Sequence, residues 1–449
     1  MTASPSTSPD LRMIPEGRRA MGRVRVPPSK SLTHRYLNLA LLAGAPMVLE
    51  RPLDAEDTRL FLAALGRCGF QVERIGDEVR LTPGAGPAEA GPDGVKIFCG
   101  NAGTMLRFLV ASLTAVPGRW RLDGVPRLRE RPVGPLVDAL RRLGAGIEYL
   151  DRPGFVPLRI QGGTLGSGTT TLAAGESSQY LSALLMAALR APGEVVIEVE
   201  SLTSQPYVDV TLAAVAELGG RIEPAVDLGH RAWRVLPSQP SSPLGAGRVR
   251  VEGDASAACY PAAAAALTGG VAVLEGLSPA SRQGDRRFLD LLAEMGAEVV
   301  AASGDLEVRG GSGGLRGIEA DLSGMPDQVP TLAALAPFAR GVTRIFNVAH
   351  LRIKESDRLA AMAGELRRLG AEVEEGPASL RIPGVWADHE PPTDRVVVET
   401  HHDHRIAMSL ALVGLRRPGV VVSSPGVVAK SYPEFWRDFE ALLEAAPVP

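Results

Sequence analysis

Clusters of small or charged polar residues recur along this chain. They stand at Ser29-Lys30-Ser31, Asn101-Ala102-Gly103-Thr104, Ser177-Ser178-Gln179, Asp254-Ala255-Ser256, Pro326-Asp327-Gln328 and His402-Asp403-His404-Arg405. Each cluster opens an Ala/Leu-rich stretch of helical length. The first N–H groups of a helix lack internal partners and carry partial positive charge, so anions settle at such starts. Taken singly, Ser, Thr, Asn and Asp there read first as N-caps, each worth ~1 kcal/mol without any ligand. Capping does not ask for Lys30, Arg35, Gln179 or Arg405, however. A cation near a helix start opposes the macrodipole by ~0.3–1 kcal/mol, so several together point to an offsetting anion. Further cations stand in Arg129-Glu130-Arg131-Pro132, in the run Arg352-Ile353-Lys354-Glu355-Ser356-Asp357-Arg358, and at Lys430 in Ala429-Lys430-Ser431-Tyr432-Pro433. The run also fits a solvated helical face, with Lys354 and Arg358 at i,i+4.

The elements that position these groups repeat. The six apolar stretches close at Gly44, Gly118, Gly193, Gly269, Gly341 and Gly419, a period of about 75 residues that fills the chain. Out of phase with them, amphipathic segments end at Leu65-Gly66, Leu143-Gly144, Leu218-Gly219, Met295-Gly296 and Leu369-Gly370, with short apolar runs such as 298–301 following. Glycine after a helical run reads as a left-handed C-cap, and the run after it as a strand. Each unit is therefore expected to hold one buried helix, one outer amphipathic helix and strands between them. If the buried helices lie parallel in two lobes, their starts line one site between the lobes.

At 449 residues a single core is not expected, and six units divide into two lobes of three. The Gly/Pro/Ser-rich stretch 237–247 falls between the third and fourth units. A formal charge of −3 argues against nucleic acid, the basic clusters at 127–131 and 282–287 are local, and 4% aromatics give no base-stacking platform. Cys68, Cys99 and Cys259 lack paired metal-site spacing and read as small buried residues in a reducing compartment. Residues 1–13 have no apolar core, so they are expected to fray, and no apolar run reaches the ~18 to 20 residues that cross a bilayer. These features predict a cytoplasmic protein.

Eight motifs in order, from Val26 to about Phe435, resemble the 5-enolpyruvylshikimate-3-phosphate synthase family. They are Ser29-Lys30-Ser31-Leu32-Thr33-His34-Arg35, Gly100-Asn101-Ala102-Gly103-Thr104, Glu130-Arg131-Pro132, Ser177-Ser178-Gln179, Gly253-Asp254-Ala255-Ser256, Pro326-Asp327, Lys354-Glu355-Ser356-Asp357-Arg358 and Asp403-His404-Arg405. The resemblance implies an α/β, two-lobed enolpyruvyl-transferase-like fold of six βαβ-type repeats, three per lobe, with buried parallel helices. It implies one lobe from 27–247 and a discontinuous one from 1–26 plus 248–449, the crossovers serving as hinges as the lobes close on their substrates. The implied activity is transfer of the enolpyruvyl group of phosphoenolpyruvate to the 5-hydroxyl of shikimate 3-phosphate, releasing phosphate, in the shikimate pathway to chorismate and aromatic amino acids. No metal or organic cofactor is implied, and the expected state is a monomer.

Carried over residue by residue, the resemblance assigns shikimate 3-phosphate to Lys30, Ser31, Arg35, Ser177, Ser178, Gln179, Ser204, Tyr207, Asp327 and Lys354. It assigns phosphoenolpyruvate to Lys30, Asn101, Gly103, Arg131, Gln179, Arg358, Arg405 and Lys430. Arginine forks suit carboxylate and phosphate, and a glycine at Gly103 lets a small ligand approach the backbone. The reaction needs a base for the hydroxyl, an acid for the methylene carbon and cations for an anionic tetrahedral intermediate. Asp327 is the expected base, Glu355 the acid, Lys30 with Arg131, Arg358, Arg405 and Lys430 the clamp, and Lys354 a participant in proton transfer. Cations should lower the Glu355 pKa, while bound phosphates and exclusion of water act the other way.

The chain departs from the family pattern at His350, where Asn is common, at Gln205, where Lys is common, and at Phe108, where Pro is common. Gly103 predicts sensitivity to glyphosate, which in this family occupies the phosphoenolpyruvate site. The sister enolpyruvyl transferase acting on UDP-N-acetylglucosamine carries a loop cysteine in a Pro-Gly-Cys setting, which none of the three cysteines here has. A non-catalytic repeat protein binding a phosphorylated metabolite is the other alternative, against which Asp327, Glu355 and the clamp cations are all present.

Overall fold

The computed structural model describes residues 10–84, 86–87, 94–238, 244–245, 247–302 and 304–445. Of the 237–247 stretch, 239–243 and 246 lie outside the described residues, as do 1–9 of the N-terminal segment. The buried helices are Lys30–Ala43, Gly103–Ala115, Ser178–Ala188, Ala255–Thr268, Val329–Leu335 and His404–Gly414. A helix surrounded by protein has no polar face to keep, which is why these stretches read as apolar all round. The fifth is short because Pro330 and Pro337 cannot propagate it, and 3₁₀ turns at Pro326–Gln328 and Ala336–Phe338 flank it. The outer amphipathic helices include Glu56–Arg67, Gly134–Arg142, Gln205–Glu217 and Arg358–Arg368. In the first repeat the left-handed glycine is Gly69, not Gly66, because the helix runs on to Arg67.

Among the described residues there are six sheets, one per repeat. The third shows the common order: Gly168–Ala174 runs parallel to Val195–Leu202 across the buried helix, then Ala232–Leu236 and Arg221–Pro224 add antiparallel. Two repeats exchange their first strand. Arg18–Arg25 pairs parallel with Val271–Glu275 of the fourth repeat, and Gly247–Arg250 pairs parallel with Met47–Glu50 of the first. In the sixth, Leu11–Met13 supplies the antiparallel strand against Val421–Ser423, so this part of the expected frayed terminus is ordered.

The chain divides into two compact units. One holds Pro28–Asp254 with Arg282–Gly284, and the other holds Met1–Pro27, Ala255–Ser281 and Asp285–Pro449. The strand Gly247–Arg250, expected from 248 onward to open the discontinuous lobe, is held by its ladder in the unit of repeats one to three. Each unit has its own apolar core, and the three buried helices of each touch one another pairwise. None of the described helices is long and apolar enough to cross a membrane.

Four of the strands that follow a buried helix end in a non-glycine residue with positive φ: Arg51, Ser204, Asn347 and Ser424. Such conformations cost about 1 kcal/mol or more, and persist where the surroundings fix them. Ser204 and Ser424 then lead into Gln205–Glu217 and Pro425–Lys430, which carry Tyr207 and Lys430. Neither is a glycine, so the sequence gives no signal for this turn.

Candidate functional site

The unit of repeats one to three gathers one set of expected site residues. The side chain of Ser29 caps its helix by accepting from the Leu32 N–H, and Ser177 accepts from the Gln179 N–H. The Lys30 N–H donates to Asp254, 2.9 Å away, so the fourth opening also closes the start of the first helix. The Lys30 ammonium lies 3.7 Å from Asp57, at the first turn of the neighbouring outer helix.

Arg35 is committed to protein. Its Nε donates to Thr211 at 2.8 Å, Nη2 to the Tyr207 carbonyl at 2.7 Å, and Nη1 to the Ser31 carbonyl and hydroxyl. Its guanidinium carbon stands 5.6 Å from the ring centre of Phe108, which gives that departure from the family pattern a cation–π role. Burial pushes the Arg35 pKa down to about 10, against the phenols of Tyr207 and Tyr36. Arg35 thus fixes Ser31 and Tyr207. Gln205 donates to Asp209 at 2.8 Å along its own helix, leaving it local.

Gln179 is held at both ends of its amide. It donates to the Thr104 hydroxyl at 2.9 Å and accepts from Arg107 at 2.7 Å, while the Arg107 guanidinium lies 5.3 Å from the Tyr180 ring centre. Arg107 was absent from the sequence assignments, and its signal was a cation inside an otherwise apolar helix. Arg131 donates to the Asn101 carbonyl at 3.3 Å. A Cβ on Gly103 would lie 2.5 Å from the Arg131 guanidinium carbon, so the bare glycine makes room for the arginine as well as for any ligand. Ser177 and Ser178 are buried at the start of their helix.

The other unit gathers the second set. Arg358 opens the helix Arg358–Arg368, behind the N-cap Asp357, and is 1% exposed. Lys354 lies in extended backbone before that helix, so Lys354 and Arg358 do not share a solvated helical face. Arg358 Nε donates to Asp403 at 2.7 Å, Nη2 to Asp403 at 3.3 Å and to Glu355 at 3.1 Å, and Nη1 to Asp327 at 2.8 Å. Asp327 also meets Arg405 Nη2 at 2.7 Å, and Glu355 lies 3.6 Å from the Lys430 ammonium. Asp403, wholly buried, caps the sixth helix through the Arg405 N–H and accepts from Ser356. It anchors the cluster, and the sequence presented it only as a cap.

Loss of hydration pushes the Asp327 carboxyl up, but Arg405, Arg358 and Lys354 outweigh it and hold the group well below the ordinary carboxylate range. Burial lowers Arg358 in turn, and Asp403, Glu355 and Asp327 raise it well above its usual value. His350 belongs to this cluster too. Burial, with Lys354 and Arg358 opposing the pull of Asp327, brings its pKa down to about 4, so the ring is neutral near pH 7, and its buried Nε2 makes no hydrogen bond among the described residues. The fourth repeat contributes Tyr260, whose phenol burial pushes well up against the fields of Arg405 and Arg358.

A family model described as EPSP synthase (3-phosphoshikimate 1-carboxyvinyltransferase) matches residues 14–439. A 3-phosphoshikimate 1-carboxyvinyltransferase of Syntrophobacter fumaroxidans is 45% identical over 94% of this chain and 96% of its own. One of Cupriavidus taiwanensis is 43% identical over 94% and 96%. Among solved structures, an EPSP synthase from Acinetobacter baumannii superposes with a TM-score of 0.77 at 28% identity, over 97% of this chain and 99% of that one.

Proposed function

This chain belongs to the EPSP synthase family, and from that premise we propose how its residues divide the work of the reaction. The protein is a 3-phosphoshikimate 1-carboxyvinyltransferase, which moves the enolpyruvyl group of phosphoenolpyruvate to the 5-hydroxyl of shikimate 3-phosphate and releases phosphate. In the reading we favour, Lys30, Ser31, Arg35, Ser177, Ser178, Gln179, Ser204 and Tyr207 serve shikimate 3-phosphate together with Asp327 and Lys354. Lys30, Asn101, Gly103, Arg131, Gln179, Arg358, Arg405 and Lys430 serve phosphoenolpyruvate.

Asp327 takes the proton of the 5-hydroxyl as that oxygen attacks the enol carbon, and Glu355 gives a proton to the methylene carbon. The tetrahedral adduct then loses phosphate, which carries away the proton that Asp327 took, while its new methyl group returns a proton to Glu355, restoring the double bond. Arg131, Arg358, Arg405, Lys430 and Lys30 stabilise the negative charge carried throughout. The observation that carries this reading is the convergence of Asp327, Glu355, Arg358, Arg405 and Lys430 within ion-pair distance.

A cytoplasmic location is part of the same reading, supported by three free, buried thiols, and a monomer is its expected state. The test is release of inorganic phosphate from shikimate 3-phosphate and phosphoenolpyruvate by the purified chain, with sedimentation for its mass. Turnover with UDP-N-acetylglucosamine alone, or binding without turnover, overturns it.

A further inference from the structure

Arg358 has five N–H donors. Its Nε is spent on Asp403, both N–H groups of Nη2 on Asp403 and Glu355, and one of Nη1 on Asp327, so four of the five are used by carboxylates of this chain. A phosphate or carboxylate held by an arginine fork needs two parallel N–H groups. One remains. Arg405 meets the second oxygen of Asp327 at 2.7 Å, and Lys430 faces the second oxygen of Glu355 at 3.6 Å. The two carboxylates therefore bridge all three cations that the proposed function gives to the enolpyruvyl donor in this unit.

We infer that Asp327 and Glu355 occupy the donor's anion site as internal stand-ins, and that phosphoenolpyruvate binds by exchanging with them on Arg358, Arg405 and Lys430. Asp403 stays in place through the exchange. It holds Arg358 by Nε and Nη2, is itself pinned by the Arg405 N–H and Ser356, and has no exposure from which to leave. Asp327, with 26% of its side chain exposed, has room to turn away.

The exchange answers a chemical difficulty. A carboxylate clamped between two guanidinium groups is a poor base, and Asp327 is held far below the ordinary range while clamped. Once the donor's negative groups take over Arg405 and the inner face of Arg358, the same carboxylate sits beside an anion instead of two cations, and its basicity rises. The base is thus switched on by arrival of the substrate it serves, and in the donor-free protein the cations are neutralised without a ligand. The inference rests on the proposed roles of these residues, and its test separates the two.

The experiment is calorimetric binding of phosphoenolpyruvate alone to the full-length wild type, Asp327→Asn and Glu355→Gln, with turnover measured on each. Removing an internal competitor is expected to tighten donor binding about tenfold in Asp327→Asn, corresponding to ~1.4 kcal/mol, and by a smaller factor in Glu355→Gln. Unchanged or weaker binding in the folded variants overturns the exchange, whatever happens to turnover. Tighter binding with turnover lost supports both the exchange and the assignment of Asp327 as base. Tighter binding with turnover intact supports the exchange and removes Asp327 as the base. If Asp327→Asn does not fold, Glu355→Gln decides alone, since it weakens the carboxylate's hold on Arg358 and Lys430.

Discussion

Gly103 and Arg131 share one space: the missing Cβ of the glycine would lie 2.5 Å from the guanidinium carbon of the arginine. The arginine tip is flexible, so Gly103→Ala is expected to fold and to push Arg131 aside. We expect the phosphoenolpyruvate KM to rise about tenfold, with a smaller change for shikimate 3-phosphate. Inhibition by glyphosate is expected to weaken in parallel. Steady-state kinetics check this, and equal inhibition of both forms contradicts it.

Arg131→Ala removes the guanidinium without adding bulk. Phosphoenolpyruvate binding is expected to weaken more than shikimate 3-phosphate binding, by about tenfold or more for the loss of a charge-assisted fork. An even loss for both substrates would show that Arg131 is not specific to the donor.

Glu355→Gln keeps the shape of the side chain and removes its exchangeable proton. Turnover is expected to fall by about 10²–10⁴-fold while donor affinity improves. Unchanged kcat removes Glu355 from the mechanism.

Arg35 is 2% exposed and donates to Thr211, Ser31 and the Tyr207 carbonyl. Truncation to Ala strands those acceptors in the core, and we expect a loss of about 3 kcal/mol in urea unfolding. A change under about 0.5 kcal/mol would mean the network relaxes freely.

His350 makes stability depend on pH. Its folded pKa of about 4 lies below the unfolded 6.5, so the unfolded chain binds more protons between these values and stability rises with pH across that window. The native state is expected to lose up to about 3 kcal/mol as pH falls from 6.5 to 4. The contribution of Asp327 is separate, because a depressed carboxylate loses its stabilisation only below the unfolded carboxylate range near 3.8. Urea unfolding at pH 7 and 4.5 should show a smaller slope for His350→Asn, and an identical slope rules His350 out.

The repeat was legible because a helix buried on all sides must be apolar all round, and six such stretches at even spacing leave a plain pattern. The site cations were legible because helix starts carrying Lys30 and Arg405 conflict with the macrodipole. Arg107 and His350 were harder. The first hides in an apolar helix, and the second differs from the residue common in the family; each acts through neighbours distant in sequence, Gln179 for Arg107 and Asp327 for His350.

By itself the sequence determined the six repeats, the family and the types of group that meet the substrates, since these depend on local periodicity and on residue chemistry. Tertiary structure decided which groups hold which. Asp254 accepts from the first N–H of the Lys30 helix, Leu11–Met13 closes the sixth sheet, and Asp327 with Glu355 bridges Arg358, Arg405 and Lys430. Each of these pairings joins residues well separated along the chain or leaves one cation with several possible partners. Charge and spacing alone are degenerate there, and only packing selects which of the possible pairings forms.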